Sequence, residues 1–239
     1  MIERITEIYW ASEGRYGSPR VYIALKKQGL AISRRRVERI MREQGLRGRV
    51  VQVTQRNSGL KKEQAKGKNL LLDMQKPSAI NQVWVADITY LKLNGQWQYL
   101  STIMDQYSRR LLGWSLSSTR TTDLTIRTLS YALKKRNYPK GVVFHTDRGI
   151  EYRGSAFQKL LKSYDFKHSM NRPGQCTDNA FMESFYHSLK IELIRGSAYK
   201  KLKDLRKALS QYINNFYNSV RLHSGINYYT PIEYEALLG

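Results

Sequence analysis

The strongest constraint on this fold is the order in which strand and helix patterns follow one another after residue 81. Residues 83–93 (VWVADITYLKL) alternate and are rich in β-branched and aromatic residues, which is typical of a strand. Asn94-Gly95 predicts a turn, and residues 97–105 (WQYLSTIMD) and 110–118 (RLLGWSLSS) predict two more strands. We therefore expect three consecutive strands in an antiparallel meander.

Helix and strand patterns alternate in the remainder of the chain. Residues 141–147 (GVVFHTD) are a short and nearly all-apolar run, as expected of a strand buried on both faces. A further strand is predicted at about 166–169, and helices are predicted at about 122–136, 155–163, 178–194 and 202–217. Three meandering strands followed by helix, strand, helix, strand and helix is the order of an α/β, ribonuclease-H-like domain.

The first 46 residues predict a small all-α domain. Apolar stripes indicate helices at about 2–12, from Ser18-Pro19 to Gly29, and from a Ser33 cap to Gly45. Two short helices with a glycine-containing connection suit a helix-turn-helix, and a helical hairpin with a solvated charged face suits the pattern equally well. The candidate DNA-binding side chains lie on or near the exposed side of the third helix: Arg34, Arg35, Arg36, Arg39 and Arg42.

Residues 47–80 are basic, rich in polar residues and without sustained periodicity. Long structureless stretches are uncommon inside a compact domain, so this segment is predicted to be a linker. The predicted organisation is a helix-turn-helix-like domain at 1–46, a basic linker at 47–80, and a catalytic core with a C-terminal helical tail at 81–239.

The charge of the chain restricts its partners. Lys and Arg number 41 and Asp and Glu 19, giving a formal net charge of +22, which favours phosphate polyanions such as nucleic acid. We find no long amphipathic helix for a membrane surface, no apolar run long enough to span a bilayer, and no signal-peptide pattern in MIERITEIYW. We expect a protein without membrane association, located in the cytoplasm. A single cysteine, Cys176, precludes an internal disulfide framework.

Three acidic residues occupy positions that are costly for a carboxylate. Asp87 is in the middle of a strand, Asp147 closes the buried strand, and Glu183 is on a helix whose other face is apolar. One interpretation is a divalent metal site, because Mg²⁺ prefers carboxylate oxygens and two such ions can assist a phosphodiester displacement. The alternative is local ion pairing, with Arg148 for Asp147 and Lys190 for Glu183.

The spacing of these acids favours the metal site. Between Asp147 and Glu183 lie 35 residues (183 − 147 − 1), and between Asp87 and Asp147 lie 59. The pattern resembles the acid-triad (DDE) transposases and retroviral integrases, and most closely the second-frame product of the insertion-sequence-three family, which has two reading frames. The blocks that carry the resemblance follow in order: YGSPRVYIALKKQGLAISRRRVERIMREQGL, NQVWVADITYLKLNGQWQYLSTIMDQYSRRLLGW, FHTDRGIEY, DNAFMESFYHSLKIEL and YNSVRLHSGINYYTPIEY.

The resemblance implies a five-stranded mixed sheet flanked by helices, with Asp87, Asp147 and Glu183 as catalytic metal ligands. It also implies two Mg²⁺ ions, with Mn²⁺ as a substitute, and double-stranded DNA partners, namely the terminal inverted repeats of the element and a target. A homo-oligomer on DNA, a bacterial nucleoid location and a first-frame partner or fusion are further expectations. Gln175-Cys176-Thr177 and Ile150-Glu151 depart from the family pattern, and the resemblance does not include the family's first-frame region.

Two functions remain open from the sequence. The first is a transposase that nicks element ends and transfers strands. The alternative is a DNA-binding regulatory or inert subunit that needs fusion to a first-frame partner. A ribonuclease-H-type nuclease is a third hypothesis, and the helix-turn-helix pattern and the C-terminal block argue against it.

Several neighbours of the triad are candidate DNA contacts. Asn179, His187 and Lys190 share one side of a helix with Glu183, and His145 shares a strand face with Asp147. A polar helix face or a half-buried histidine is the structural alternative for each. Asp105, beside Arg109 and Arg110, is predicted to be a turn acid paired with arginine, not a fourth ligand. For Arg221 and His223, DNA contact and support of the C-terminal turn are equally compatible with the sequence.

Overall fold

In the computed structural model, residues 1–49, 67–173 and 176–237 are described. Strand β1 (Val83–Leu93) turns at Asn94 and Gly95, both at positive φ, into the antiparallel strand β2 (Gln96–Asp105). Positive φ at both residues is what a two-residue hairpin requires, and asparagine and glycine adopt it most readily.

Three further strands complete one mixed sheet in the order β3-β2-β1-β4-β5. Strand β3 (Leu111–Ser117) is antiparallel to β2, whereas β4 (Val143–Thr146) and β5 (Lys167–Met170) run parallel to β1. The meander and the five-stranded mixed sheet expected from the sequence are confirmed.

Helices cover both faces of the sheet, and each face has its own apolar core. The bounds of the helices after the N-terminal region are α4 (Thr122–Lys135), α5 (Ile150–Arg153), α6 (Ser155–Ser163), α7 (Ala180–Leu189), α8 (Leu202–Ser210) and α9 (Pro231–Ala236). One core contains Trp84, Phe144 and Phe157 beneath α4, α5 and α6, and the other contains Val85 and Phe185 beneath α7 and the elements after it.

Glycine at 113 permits the close crossing of α4 over β3. A Cβ atom there would lie 2.5 Å from the carbonyl oxygen of Thr128, which is backbone and has little freedom to shift. Gly113 therefore lets the helix approach the strand more closely than any side chain would allow.

The two long predicted helices change character before they end. Helix α7 begins after a 3-10 turn at Cys176–Asn179 and continues as a π-helical turn at Lys190–Ile194. Helix α8 likewise continues as a π-helical segment at Gln211–Tyr217. The short helices α5 and α9 were not predicted, because four and six residues are too few for an apolar period to show.

The N-terminal region forms α1 (Ile2–Ala11), α2 (Ser18–Lys27) and α3 (Arg34–Glu43). The predicted cap at Ser33 is confirmed, since its side chain accepts a hydrogen bond from the backbone N–H of Arg36 at 3.3 Å. The start of α2 differs slightly from the prediction. Gly17 is the N-cap, and Ser18 is already helical.

Direct hydrogen bonds join these helices to the C-terminal residues. The Tyr16 hydroxyl donates to the carbonyl of Val220 at 2.8 Å and accepts from the N–H of Leu222 at 2.9 Å. The Nε of Arg20 donates to the carbonyl of Leu222 at 2.9 Å. The start of α2 and Tyr16, which precedes it, are therefore attached to the C-terminal segment at residues 220–222.

Part of the predicted linker packs on the sheet. The N–H of Met170 in β5 donates to the carbonyl of Lys68, and the N–H of Leu70 donates to the Ser169 hydroxyl. This contact covers the outer edge of β5. The predicted domain boundary falls largely among residues 50–66, outside the described residues, and stays a prediction, as does the interpretation of Gln175. No helix in the described part of the chain is long and apolar enough to cross a bilayer.

A buried ion pair links the two π-helical segments to the C-terminal turn. The Arg221 guanidinium donates to both carboxylate oxygens of Glu192 at 2.7–3.1 Å, and the Tyr212 hydroxyl donates to Glu192 at 2.8 Å. Both partners are almost fully buried. His223 is also buried, between Arg221 and the ring of Tyr217. Arg221 and His223 thus support the C-terminal turn, and the structure resolves the choice that the sequence left open.

We predict that Glu192→Gln lowers the free energy of unfolding by about 3 kcal/mol, because it leaves the Arg221 guanidinium buried without a countercharge. Urea unfolding followed by circular dichroism measures the loss. The control is Glu7→Gln, which removes the exposed pair with Arg4 and is expected to cost less than about 1 kcal/mol. Equal losses in the two variants would contradict the role given to the buried pair.

Candidate active site

The pairing of β1 with β4 places two of the predicted acids side by side. The register pairs Val83 with Val143 and Val85 with His145, a constant offset of 60 residues (143 − 83 = 60). The same offset takes Asp87 to Asp147, the residue directly after β4. Side chains at one level of adjacent parallel strands point to the same face, with strands about 4.8 Å apart. The two carboxylates therefore meet where β1 and β4 separate.

The environment of Asp87 disfavours its charged form. Burial first, and the Asp147 carboxylate second, raise the pKa of Asp87 from 3.8 to about 8. Glu183 adds to this rise, while the N–H of Ile88, which donates to Asp87 at 2.8 Å, and the charge of Arg120 oppose it. The first two acids and the third thus interact electrostatically, as a shared cation site requires.

Asp147 is positioned by its own loop and by one arginine. Its Oδ1 accepts a hydrogen bond from the N–H of Gly149 at 3.0 Å, and its Oδ2 lies 3.7 Å from a guanidinium nitrogen of Arg120. Arg120 also donates to the buried carboxylate of Glu151. A Cβ atom on residue 149 would lie 2.3 Å from a Glu151 oxygen, so a larger residue there would require the Glu151 side chain to shift.

Arg120 and Glu151 are functional candidates that the sequence did not identify. Glu151 was noted only as a departure from the family pattern, and Arg120 lies between β3 and α4, where no motif marks it. The sequence did contain one signal for a cationic partner: Asp147 directly follows a buried strand, and a carboxylate in that position needs a cation nearby. The expected local partner, Arg148, instead donates to the carbonyls of Asn171 and Gly67.

Two polar side chains attach α7 to β1 on either side of Glu183. The Nδ2 of Asn179 donates to the carbonyl of Ala86 at 3.0 Å, and the Tyr186 hydroxyl donates to the carbonyl of Asp87 at 2.5 Å. Residues 179, 183 and 186 share one side of the helix. The third acid therefore lies on the side of α7 that contacts the strand of the first acid.

Glu183 itself is exposed. Within the described ranges, no three His, Cys, Asp or Glu side chains are grouped closely enough to hold one metal ion. The structure therefore brings Asp87 and Asp147 together, and places Glu183 within electrostatic range of Asp87 without closing the triad.

The residues present fit a divalent cation at the Asp87–Asp147 pair. The Asp147 carboxylate raises the pKa of Asp87, and a cation between the two carboxylates would relieve this repulsion. The Oδ1 atom of Asn179 is buried and has no hydrogen-bond partner among the described residues, so an acceptor oxygen is left over beside β1. Carboxylate and amide oxygens are suitable ligands for a hard cation such as Mg²⁺.

Two of the predicted DNA contacts, His145 and Asn179, are buried, and their contact with DNA stays a prediction. His145 is fully buried, with Nδ1 bonded to the Ser169 hydroxyl at 2.8 Å and Nε2 to Asn171 at 2.7 Å, so both ring nitrogens have partners within the protein. Burial also lowers the pKa of His145, which keeps the ring neutral. Asn179 is buried as well, and its Nδ2 attaches α7 to β1.

The other two predicted neighbours remain accessible in part. Lys190 is half-buried and lies with its Nζ 4.9 Å from the centre of the Tyr90 ring. His187 is half-buried, and its Nε2 is buried without a hydrogen-bond partner in the described part of the chain. Their DNA contacts stay predictions.

Asp105 is the structural acid that the sequence predicted, with a different partner. It accepts from the backbone N–H groups of Asn81 and Tyr107, and its carboxylate lies 3.7 Å from Arg136. Arg109 and Arg110, the expected partners, point elsewhere, because Arg110 pairs with Glu235. Asp105 holds the turn between β2 and β3 and is separate from the Asp87–Asp147 pair.

The third helix presents its arginines to solvent. Its buried side consists of Val37, Ile40 and Met41, as predicted. Arg34 and Arg39 have ion pairs with Glu38 and Glu43. The remaining three, Arg35, Arg36 and Arg42, are exposed and have no acidic partner within the described ranges.

Family comparisons agree with this architecture. A helix-turn-helix-like domain model matches residues 1–53, and two integrase core domain models match residues 77–176 and 164–231. The first match favours the helix-turn-helix over the plain helical hairpin. The simian T-cell lymphotropic virus intasome, solved by cryoEM with the PP2A regulatory subunit B56 gamma, contains a chain of similar fold. Its TM-score is 0.57 at 16% identity, covering 95% of this chain and 73% of that one.

Two curated relatives are similar over nearly the whole sequence. The transposase InsF for insertion sequence IS3A of Escherichia coli strain K12 is 37% identical over 228 residues, which are 94% of this chain and 78% of that protein. The transposase for insertion sequence element IS904 of Lactococcus lactis subsp. lactis strain IL1403 is 32% identical over 233 residues, covering 98% and 92%. The chain therefore belongs to the IS3 family of insertion-sequence transposases, and its integrase core makes it a DDE-type polynucleotidyl transferase.

Proposed function

We propose that this transposase cuts DNA at the ends of its element and joins the new 3′-OH to target DNA, with Asp87, Asp147 and Glu183 as metal ligands. The proposal rests on the register of β1 and β4, which places Asp87 and Asp147 next to each other, together with the raised pKa of Asp87. In a chain of net charge +22, two adjacent and partly buried carboxylates are a specific feature.

The proposed reaction consists of two in-line displacements at phosphorus. In the first, a water oxygen forms a bond to the phosphorus and the 3′ oxygen of the element end leaves with a proton. In the second, that 3′-OH loses its proton and attacks a target phosphodiester, whose own 3′ oxygen leaves. No covalent protein intermediate or ATP is needed, because each step exchanges one phosphodiester or water oxygen for another.

Bound at these carboxylates, a pair of Mg²⁺ ions, or Mn²⁺ in their place, would supply Lewis acidity and charge neutralisation for both displacements. The chain's own residues prepare the site. Arg120 limits the negative charge at Asp147, and Tyr186 fixes the backbone of Asp87. Burial and the Asp87 charge raise the pKa of Tyr186 well above its ordinary value, so the hydroxyl stays protonated and continues to donate.

The DNA partners in this proposal are the terminal inverted repeats of the element and the target duplex. Arg35, Arg36 and Arg42 on α3 face solvent and suit contacts to phosphates or base edges. Joining two ends to one target requires two sites, which supports a homo-oligomer on DNA. A first-frame partner or fusion remains part of the proposal for the complete transposition reaction.

One observation favours the alternative, a DNA-binding subunit that is inert without its first-frame partner. Glu183 is exposed, and the described side chains do not form a three-ligand metal site. In that case the chain alone would bind end DNA and would acquire activity only when a partner closes α7 over the Asp87–Asp147 pair.

We predict that Glu183→Gln abolishes nicking and strand transfer and leaves DNA binding intact, because the substitution keeps the side-chain shape and removes the charge. Labelled end DNA with Mg²⁺ measures nicking, and a gel shift with Ca²⁺ measures binding. Glu3→Gln on the exposed side of α1 is the matched control. Nicking by Glu183→Gln at the wild-type rate would refute the ligand assignment. Wild-type binding without nicking would support the inert-subunit alternative.

We predict a negative slope of stability against pH that originates at Asp87. The ordinary pKa of this carboxyl is 3.8, and its pKa in the fold is about 8, so between these values only the folded state holds the proton. The free energy of unfolding therefore falls as the pH rises from about 4 to about 8. Asp87→Asn removes this contribution and is expected to be more stable than wild type at pH 8 by about 1–2 kcal/mol, a value reduced because the carboxyl is only half-buried.

Chemical unfolding at pH 5 and pH 8, with and without Mg²⁺, measures this slope. Mg²⁺ at pH 8 should stabilise the wild type and leave Asp87→Asn unchanged, since an ion that binds only the folded state adds to its stability. Identical pH profiles for the two proteins would show that Asp87 has no unusual proton affinity.

We predict that Arg36→Gln weakens binding to end DNA and reduces the slope of log affinity against log salt by about 1, because one phosphate contact is lost. Fluorescence anisotropy over a salt series gives both values. Arg4→Gln on α1, an exposed arginine already paired with Glu7, is the control and should leave the slope unchanged. An unchanged slope for Arg36→Gln would remove α3 from the DNA interface.

A further inference from the structure

A basic cleft of about 660 Å³ lies between the N-terminal helices, α7 and the C-terminal turn. Its walls come from the α1–α2 connection, from residues 48–49, from the β2–β3 turn, and from the side of α7 that carries Phe181, Ser184 and His187. The cleft is therefore built from both the helix-turn-helix region and the integrase core.

Positive charge dominates the cleft. Among its described lining residues, one carboxylate is present, that of Glu192. The guanidinium groups that line it are those of Arg15, Arg20, Arg49, Arg109 and Arg221. Arg221 and the Tyr212 hydroxyl already occupy the Glu192 carboxylate, so it has little capacity left to neutralise the others.

Arg20 and Arg49 have backbone carbonyls as their hydrogen-bond partners. Arg49 donates to the carbonyl of Glu192 at 2.5 Å, and Arg20 donates to that of Leu222 while remaining 3.9 Å from the Glu192 carboxylate. The Glu192 carbonyl is available because it belongs to the π-helical turn that ends α7. A carbonyl does not cancel a full positive charge, so both arginines can still pair with an anion.

Arg109 and His187 offer nitrogen atoms to the cleft. The Arg109 guanidinium stacks on the Phe181 ring at 3.7 Å, which uses its flat face and leaves its in-plane N–H groups. Within the described ranges, both the Nε of Arg109 and the Nε2 of His187 are buried without a hydrogen-bond partner. Unsatisfied buried nitrogen atoms of a cation and an imidazole indicate a ligand that accepts hydrogen bonds.

The cleft adjoins the candidate active site along β2. Met104, which lines the cleft, is two residues from Thr102, the register partner of Asp87. Two residues of strand correspond to about 7 Å, close to the spacing of successive phosphates along a nucleic-acid strand. A strand that enters the Asp87–Asp147 site can thus reach the cleft within a few nucleotides.

We infer that this cleft binds a backbone phosphate of the DNA strand engaged in the active site, with Arg109 and His187 as inner contacts and Arg20 and Arg49 at the opening. The inference rests on the proposed function, which supplies the DNA. It adds a substrate subsite that couples the helix-turn-helix region to the catalytic helix, because residues of both regions contact the same phosphate.

The test measures binding of labelled end DNA to the full chain in Ca²⁺, by anisotropy over a salt series. Arg109→Gln should lower affinity about tenfold and reduce the salt slope by about 0.9, the value for one phosphate. Arg109→Lys keeps the charge and should keep the slope. Arg153→Gln on α5, an exposed arginine outside the cleft, is the control. If Arg109→Gln does not fold, Arg49→Gln gives the same readout.

A neutral methylphosphonate placed at successive positions of the DNA locates the phosphate. We expect one position at which the neutral group weakens wild-type binding and has no added effect in Arg109→Gln. Three results would each overturn the phosphate subsite. The first is a wild-type salt slope in Arg109→Gln, and the second is an equal loss of DNA affinity in Arg153→Gln. The third is stabilisation of the protein by inorganic phosphate while its binding of DNA is unchanged in Arg109→Gln. Because binding in Ca²⁺ does not need cleavage, these results are separate from the nicking assay that tests the proposed function.

Discussion

The candidate site depends on the unfavourable free energy of placing two carboxylates next to each other on a pair of parallel strands. The constant offset between β1 and β4 leaves Asp87 and Asp147 no other arrangement once the buried apolar residues before them have paired. Burial and mutual repulsion then hold the pKa of Asp87 near 8. Because this repulsion remains in the folded protein, a cation would bind favourably between the two carboxylates. The free energy of cation binding would offset the stability that the fold loses to their repulsion.

The neighbouring elements moderate this repulsion without cancelling it. Arg120, held by the buried Glu151, approaches Asp147 to 3.7 Å and remains partly exposed, so it reduces the charge and leaves the pair accessible. On the other side, Tyr186 attaches α7 to the backbone of β1. The π-helical turn that follows α7 connects this helix to Arg49 and Arg221, and so to the N-terminal region and the C-terminal turn.

Periodicity was sufficient to predict the meander and the buried strand, because each depends on residues close together in sequence. The assignment of Asp87, Asp147 and Glu183 as metal ligands stays a prediction. Periodicity was insufficient to predict the complete burial of His145 and Asn179. Strand and helix faces follow from the sequence, but the neighbour across a face, such as Asn171 for His145, comes from pairing with a distant segment. Arg120 and the cleft around Arg109 were missed for the same reason, since Asp147 lies 27 residues from Arg120 (147 − 120) and Phe181 lies 72 residues from Arg109 (181 − 109).

The most direct measurement of the central claim is the position of a divalent ion in crystals of the full chain soaked with Mn²⁺, located by anomalous scattering. A cation site shared by the two strands predicts a peak bonded to at least one carboxylate oxygen of Asp87 and one of Asp147, at about 2.0–2.3 Å. Absence of a peak between these residues, or Mn²⁺ bound elsewhere while the Asp87 and Asp147 carboxylates share a proton, would contradict it.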